Sequence, residues 1–481
     1  MAAQAETFFW HDYETSGTDP QRDRPLQFAG VRTDADFNII EEPVMFYARL
    51  SDDVIPHPMA VMITGITPQK ALQEGVSEAE FIARIHAELS RPGTCGVGYN
   101  SIRFDDEVTR NTLYRNFYDP YAREWQNGCS RWDIIDMLRL TRALRPEGIV
   151  WPEYEDGTPS LRLEDLTAAN GIAHGHAHDA LSDVYATLAM AKLVKEAQPK
   201  LFEYVMKNRS KQSVQAMLDT ISMKPVLHIS SKYPVELGNM AVVAPLAPHP
   251  TNKNATIVWD LRVDPAPLFN LSADQIKELL YLPRDQRDEN TPILGMKLIH
   301  ANRCPIVAPA NMLRGDEPQR FQIDGDLCRA HLALLRNEPG LVAKLMEIYT
   351  DNPPSQSDPD LQIYSGGFFS PEDRKLIERV RTASSEQLVD LQLPFQDPRL
   401  EEMLLRYKAR NFPETLNDDE QLAWEEYRFA KLIKGEGGHL TMEALYDELN
   451  RIGMSPETTD DQRLLLEEVA LYAESIYPME M

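Results

Sequence analysis

Apolar positions alternate with polar ones in short runs over the first fifty residues and then begin to recur every three or four. Thr7 to Asp12, Leu26 to Thr33 and Val44 to Leu50 read as strands, the second and third joined through polar Asp34-Ala35-Asp36, which predicts a β-meander. Ser77 to Leu89 has helical spacing at Phe81, Ile85 and Leu89, Thr94 to Tyr99 reads as a buried strand, and Asp105 to Asn116 as another helix. Further helices are predicted over Trp132 to Leu144, near Leu163 to Ala169, and over Ser182 to Glu196. Strands first and alternating units afterwards imply a mixed sheet flanked by helices, an α/β domain over 1–199.

The texture then changes. After a helical stretch from Phe202 to Met217, short β-rich segments (Lys224 to Ile229, Met240 to Ala244, Ala255 to Leu261, Met296 to Ile299) are separated by Pro and Asn turns. They predict a small β-barrel or sheet domain with helical insertions over 200–350. The Pro- and Ser-rich stretch 351–360 reads as a linker, and 361–481 as a helical, acidic domain with Leu445, Leu449, Leu464, Leu465 and Val469 at helical intervals.

Composition narrows the class. The 481 residues exceed one ordinary domain of roughly 100–200, and 43% hydrophobic with 26% charged residues exclude a disordered chain. No apolar stretch approaches the roughly 18 residues of a membrane span, and Met1 to Trp10 lacks a basic segment leading into an apolar one, so neither membrane insertion nor secretion is expected. Cys95, Cys129, Cys304 and Cys328 are widely separated and form no C-x-x-C pair; a thiolate zinc site and a disulfide framework are not indicated, and a reducing cytoplasm is the expected home. A net charge of −26 argues against coating nucleic acid by bulk electrostatics. The charge is unevenly spread, at −12 over 1–200, +1 over 201–350 and −15 over 351–481, and Arg103 to Arg145 carries eight arginines and no lysine. A polyanion would be held by local basic patches there and in the middle of the chain.

Three elements could carry chemistry. In His11-Asp12-Tyr13-Glu14-Thr15, at a strand end, residues i and i+2 share a side, so Asp12 and Glu14 aim two carboxylates at one place; the strand end could also simply face solvent. Asp105, after Gly98-Tyr99-Asn100-Ser101, opens a helix, where an acid could equally cap free N–H groups. In His178-Asp179-Ala180-Leu181-Ser182-Asp183, five helical residues would separate His178 from Asp183 by some 140°, so His178 must lie in the loop or first turn to meet Asp183 over one site. His174 and His176 alternate with His178 and raise a zinc site, which the lack of a suitably spaced fourth ligand disfavours.

Together these residues resemble the DEDDh family of 3′ to 5′ exonucleases: D-x-E, a second-motif Asp and H-x-x-x-x-D match Asp12, Glu14, Asp105, His178 and Asp183. The tyrosine sister pattern is excluded because Asp179 stands where its Tyr would fall, and Thr64-Gly65-Ile66-Thr67 resembles the family's loop against the terminal nucleotide. Ile63 to Gln69, Arg103 to Asn111, Leu144 to Gly148 and Ala409 to Pro413 extend the likeness to the bacterial exodeoxyribonuclease I branch over nearly the whole chain. Ser16 departs from it, standing where Phe is expected.

The resemblance implies a ribonuclease H-like exonuclease domain, an SH3-like middle domain and an α-helical C-terminal domain. It also implies two Mg²⁺ ions, replaceable by Mn²⁺, on Asp12, Glu14, Asp105 and Asp183, with His178 as general base for the attacking water. Implied contacts to single-stranded DNA are Glu14, Thr15, Thr64, Gly65, Ile66, Arg110, Tyr121, Trp125, Arg139 and Arg162. Arg145, Tyr204, Arg314 and Arg336 are the implied pocket for the acidic C-terminal tail of the single-stranded DNA-binding protein. The expected activity is processive 3′ to 5′ degradation of single-stranded DNA to 5′-mononucleotides by a monomer, in DNA repair and recombination. The rival readings are a DEDDh ribonuclease trimming RNA 3′ ends and a non-catalytic single-stranded-DNA-binding scaffold.

Overall fold

The computed structural model describes residues 6–175, 178–350, 356–389 and 391–479. His176 and the first half of the expected linker, 351–355, lie outside them. The chain gathers into two compact units that do not follow chain order: Met1–Arg131, His174–Leu188 and Pro354–Met481 form one, Trp132–Ala173 and Ala189–Pro353 the other.

In the first unit, β1 (Thr7–Thr15), β2 (Pro25–Thr33) and β3 (Val44–Tyr47) form the expected meander. With β4 (Thr94–Gly98), parallel to β1, and β5 (Ser130–Asp133) they make a sheet of order β3-β2-β1-β4-β5. One face of β1 presents Phe9 and Tyr13, which pack with Phe28 against Phe81, Ile82 and Ile85 of a helix behind the sheet. The other face carries Trp10, edge-on to Phe37 at 5.0 Å, and by strand alternation Asp12 and Glu14 follow it. Apolar burial therefore fixes which way the two carboxylates point.

Helices α1 (Pro58–Thr64), α2 (Pro68–Glu74), α3 (Glu78–Leu89) and α4 (Asp105–Arg115) surround this sheet. The first two had no periodic signature, being seven residues each with Pro at the N-terminus. Their apolar residues Val61 and Ala71, with Leu26 and Ile66, share one core with Leu445, Leu449, Val469 and Ala473 of the C-terminal helices Met442–Gly453 and Asp460–Ser475. The described half of the expected linker is docked: Asp358 and Asp360 both bind Arg406, and Asp360 also binds Arg410.

The helix expected over Trp132 to Leu144 divides. Ser130–Asp133 is strand β5, Asp133 Oδ1 accepts from Ile135 N at 3.0 Å, and α5 runs Ile135–Leu144. A short apolar run fits either period, and pairing at the sheet edge decides it. Then come α6 (Leu163–Ala169), α7 (Ala180–Ala197), α8 (Pro199–Asn208) and α9 (Lys211–Met217). The last two replace one expected helix, because Ser210 caps α9 by accepting from Ser213 N.

The second unit holds an all-antiparallel sheet of order β10-β6-β7-β8-β9, built from β6 (Val226–Ile229), β7 (Met240–Pro248), β8 (Ala255–Asp260), β9 (Met296–His300) and β10 (Ile306–Pro309). β10, bracketed by prolines, gave no strand signal in the sequence. Among the described residues no helix is long and apolar enough to cross a membrane.

Candidate active site

Three elements deliver the acids. β1 brings Asp12 and Glu14, and pairing slips immediately after Glu14, which opposes Gln27 while Thr15 opposes Pro25. α4 brings Asp105, buried at 4% exposure, at its first residue. The turn before it is tight: a Cβ on Gly98 would lie 2.6 Å from that of Ser101, and Asn100 has φ +58°. The first turn of α7 brings Asp183, and His178 lies just before that helix, as the 140° argument requires.

These side chains converge. Ligand atoms of Glu14, His178 and Asp183 all lie within 4.8 Å of one another. Burial together with the charges of Asp105, Glu14 and Asp183 raises the Asp12 carboxyl well above its ordinary range. Burial, then Asp183 and Asp105, push Glu14 up to about 9. Asp183 is raised by burial, while His174 and His178 oppose that shift. Mutual repulsion of this kind is relieved by a divalent cation, and hard carboxylate oxygens suit one; the residues fit a Mg²⁺ or Mn²⁺ site.

The adjacent acid, Asp106, behaves differently. It faces away into a buried pair with Arg123 at 2.5 Å and Arg131 at 2.8 Å, which against the effect of burial hold its carboxyl well below the usual range. Thr109 fixes Asp105 from below, donating to its carbonyl at 2.7 Å and sharing a hydrogen bond with Tyr13 Oη at 2.8 Å. His178 has φ +66°, a left-handed conformation costly for a β-carbon residue and characteristic of functional turns. His174, set aside in the sequence, donates from Nε2 to Asp183 Oδ1 at 2.5 Å.

Around the acids, Thr15 Oγ1 donates to Gly17 O at 2.6 Å. Ser16 is fully buried, accepting from Arg24 N and donating to Asp23, so it organises this turn where an aromatic ring was expected. Thr64 closes α1, and Gly65 caps it with φ +66°, in open space where a Cβ would meet no atom within 4 Å; Ile66 is buried.

Arg110 is buried in bonds to Glu124, Glu107 and Tyr364, with its guanidinium 5.6 Å from the Tyr121 ring. Tyr121 and Trp125 line a cavity of about 410 Å³ with Tyr114, Tyr118, Phe368 and Phe369. Trp125 is 66% and Phe368 86% exposed, an unusual state for large rings. Phe368 and Tyr364 escaped the sequence reading because they belong to the distant C-terminal segment. In the second unit, Arg139 pairs with Asp136, Arg162 with Glu164, and Arg145 with Glu317, whose other oxygen accepts from Arg314 N. Tyr204 Oη donates to Val307 O at 3.0 Å, and Arg336 to Ser222 O at 2.5 Å.

Residues 9–191 match an exonuclease family, 209–351 the exonuclease I SH3-like domain and 357–476 the exonuclease I C-terminal domain. The chain is 46% identical over 475 residues to exodeoxyribonuclease I of Escherichia coli strain K12, covering 98% of each. It superposes on a moderately thermophilic exonuclease I from Methylocaldum szegediense with a TM-score of 0.93 at 49% identity, covering 98% of this chain and 100% of that one. The corresponding values for E. coli exonuclease I in complex with a dA16 oligonucleotide are 0.91, 46%, 98% and 100%. That E. coli enzyme is also known in a zinc-bound complex with single-stranded DNA, and an exonuclease I is known with SSB. The chain belongs to the exodeoxyribonuclease I family.

Proposed function

We propose that this chain is a divalent-cation-dependent exonuclease that degrades single-stranded DNA processively from the 3′ end, releasing 5′-mononucleotides, in cytoplasmic DNA repair and recombination. The observation that carries this reading is the convergence of Asp12, Glu14, Asp105 and Asp183, from one strand and two helices, beside His178. Relatives solved with DNA oligonucleotides at 46% identity over 98% of the chain support the choice of substrate.

The four carboxylates would hold two Mg²⁺ ions, with Mn²⁺ as a substitute. When bound, such ions activate water and neutralise charge on the attacking and leaving oxygens. The protein's part is to place its own groups. Asp12 and Glu14 act from a rigid central strand, Asp105 and Asp183 from helix starts, and His178 takes the proton of the attacking water. Tyr121 and Trp125 offer rings for base stacking beside the Arg110 cluster. Thr15, Thr64, Gly65 and Ile66 frame the 3′-terminal nucleotide, with Arg139 and Arg162 as further cations on the DNA path. Arg145, Tyr204, Arg314 and Arg336 would receive the acidic tail of the single-stranded DNA-binding protein. We place the domain boundaries at 199 and within 351–360.

Incubating the protein with 3′-labelled single-stranded DNA, duplex DNA and RNA, with and without Mg²⁺, tests the reading. Mononucleotide release is expected from single-stranded DNA with Mg²⁺ alone. Preferred RNA cleavage would favour a ribonuclease, and binding without turnover a scaffold; either result overturns the proposal.

A further inference from the structure

The strand β2 is buried along its whole length, and Gln27 lies within it at 1% exposure, cross-strand from Glu14. A primary amide in such a place is costly unless its hydrogen-bonding groups are used. Two of the three partners of Gln27 lead to one place. Its Oε1 accepts from Ala180 N at 3.2 Å, and its Nε2 donates to Asp179 Oδ1 at 3.0 Å and to Tyr47 Oη at 3.2 Å. Ala180 N is one of the N–H groups left open at the start of α7, so a side chain from another strand caps this helix.

Two of the three residues that Gln27 grips, Asp179 and Ala180, follow His178 directly. His178 itself holds φ +66°, a conformation that a histidine keeps only where its surroundings impose it. The next backbone bond, Asp183 N to Asp179 O at 3.1 Å, begins the helical turn that carries Asp183. One amide thus links the strand opposite Glu14 to the turn that aims His178.

We propose that Gln27 is a positioning residue for the hydrolytic reaction, setting His178 over Glu14 and Asp183 without touching the substrate. This rests on the reading of His178 as the general base. It follows that Gln27 should matter to turnover only as long as His178 is present.

The test is a double-mutant cycle on single-stranded DNA hydrolysis with Gln27→Leu, His178→Ala and both together. Gln27→Leu is expected to lower kcat about 10- to 100-fold with KM within about twofold, and the double variant to be no slower than His178→Ala. A double variant slower than His178→Ala by the full Gln27→Leu factor would overturn the inference. A wild-type kcat in His178→Ala would instead overturn the base assignment, so the two failures are distinct.

Because Gln27→Leu could disturb folding, a second variant reverses the polarity of the bond. Gln27→Glu keeps the acceptor for Ala180 N but sets a carboxylate against Asp179, and should lose activity. Adding Asp179→Asn supplies a donor in the opposite sense and should restore at least half of the wild-type kcat. Failure of that rescue in a protein with wild-type thermal stability would contradict the proposal.

Discussion

Asp105 and Asp106 are neighbours with opposite fates, and the difference lies in their counter-charges. Asp106 is neutralised by Arg123 and Arg131, so removing its charge leaves two buried guanidinium groups unpaired. Asp106→Ala should cost about 3–5 kcal/mol of unfolding free energy, measured by urea denaturation. Asp105 instead adds its charge to Asp12 and Glu14. Asp105→Asn should leave stability intact or raise it in metal-free protein, while abolishing most turnover. For His178→Ala the expected loss in kcat is about 10²- to 10⁴-fold, with single-stranded DNA affinity unchanged. The D-x-E pair was legible in the sequence because strand alternation alone puts both acids on one side. The part of Gln27 was not, since its two partners at the start of α7 lie 152 and 153 residues away.

The raised carboxyls also give a pH dependence with a definite sign. Glu14 ionises near 9 in the folded chain, against about 4.5 when unfolded, so across that window the folded state binds the extra proton. The contribution is fully present below about pH 4.5 and is lost as pH rises through 9. Metal-free protein should therefore lose thermal stability between pH 6 and 9, and Glu14→Gln should flatten the loss. Added Mg²⁺ should raise Tm more at pH 8.5 than at pH 6, because the ions then replace fewer protons.

At the scale of elements, the site is held by short pieces with little periodicity. α1 and α2 were invisible in the sequence because seven residues span only two turns, and their apolar faces are defined by the C-terminal helices they meet. β5 was absorbed into a helix for the same reason, whereas α3, with Ser77 as its cap and Phe81, Ile82 and Ile85 inward, was read to within a residue. The segment between β3 and α1 is clamped by Asp53, fully buried against Arg410 and Lys431 at 3.0 and 2.8 Å. Asp53→Ala should destabilise the protein by about 3–5 kcal/mol, again read by urea unfolding. By contrast Trp125, exposed at the rim of the aromatic cavity, makes little core: Trp125→Ala should leave Tm unchanged and weaken single-stranded DNA binding by about 1–3 kcal/mol in a fluorescence titration.

Over the whole molecule, the order of textures along the chain was legible, and the grouping in space was not. Sequence periodicity separates an α/β part, a β-rich part and a helical part, but it cannot show that Pro354–Met481 folds into one compact unit with Met1–Arg131. Leu26, Val61 and Ile66 find their core among Leu445, Val469 and Tyr472, residues some four hundred positions later. A chain ending at residue 353 should therefore expose this face and aggregate, as size-exclusion chromatography would detect. The net charge of −26 is unevenly spread along the chain, the segment 201–350 being close to neutral.

Four carboxylates gathered from β1, α4 and α7 are proposed to hold two divalent cations. Titrating metal-free protein with Mn²⁺ and counting bound ions by electron paramagnetic resonance tests this directly. Two ions are expected per wild-type chain, with at least one lost in Asp12→Asn and in Asp183→Ala. Unchanged Mn²⁺ binding in both variants would contradict it.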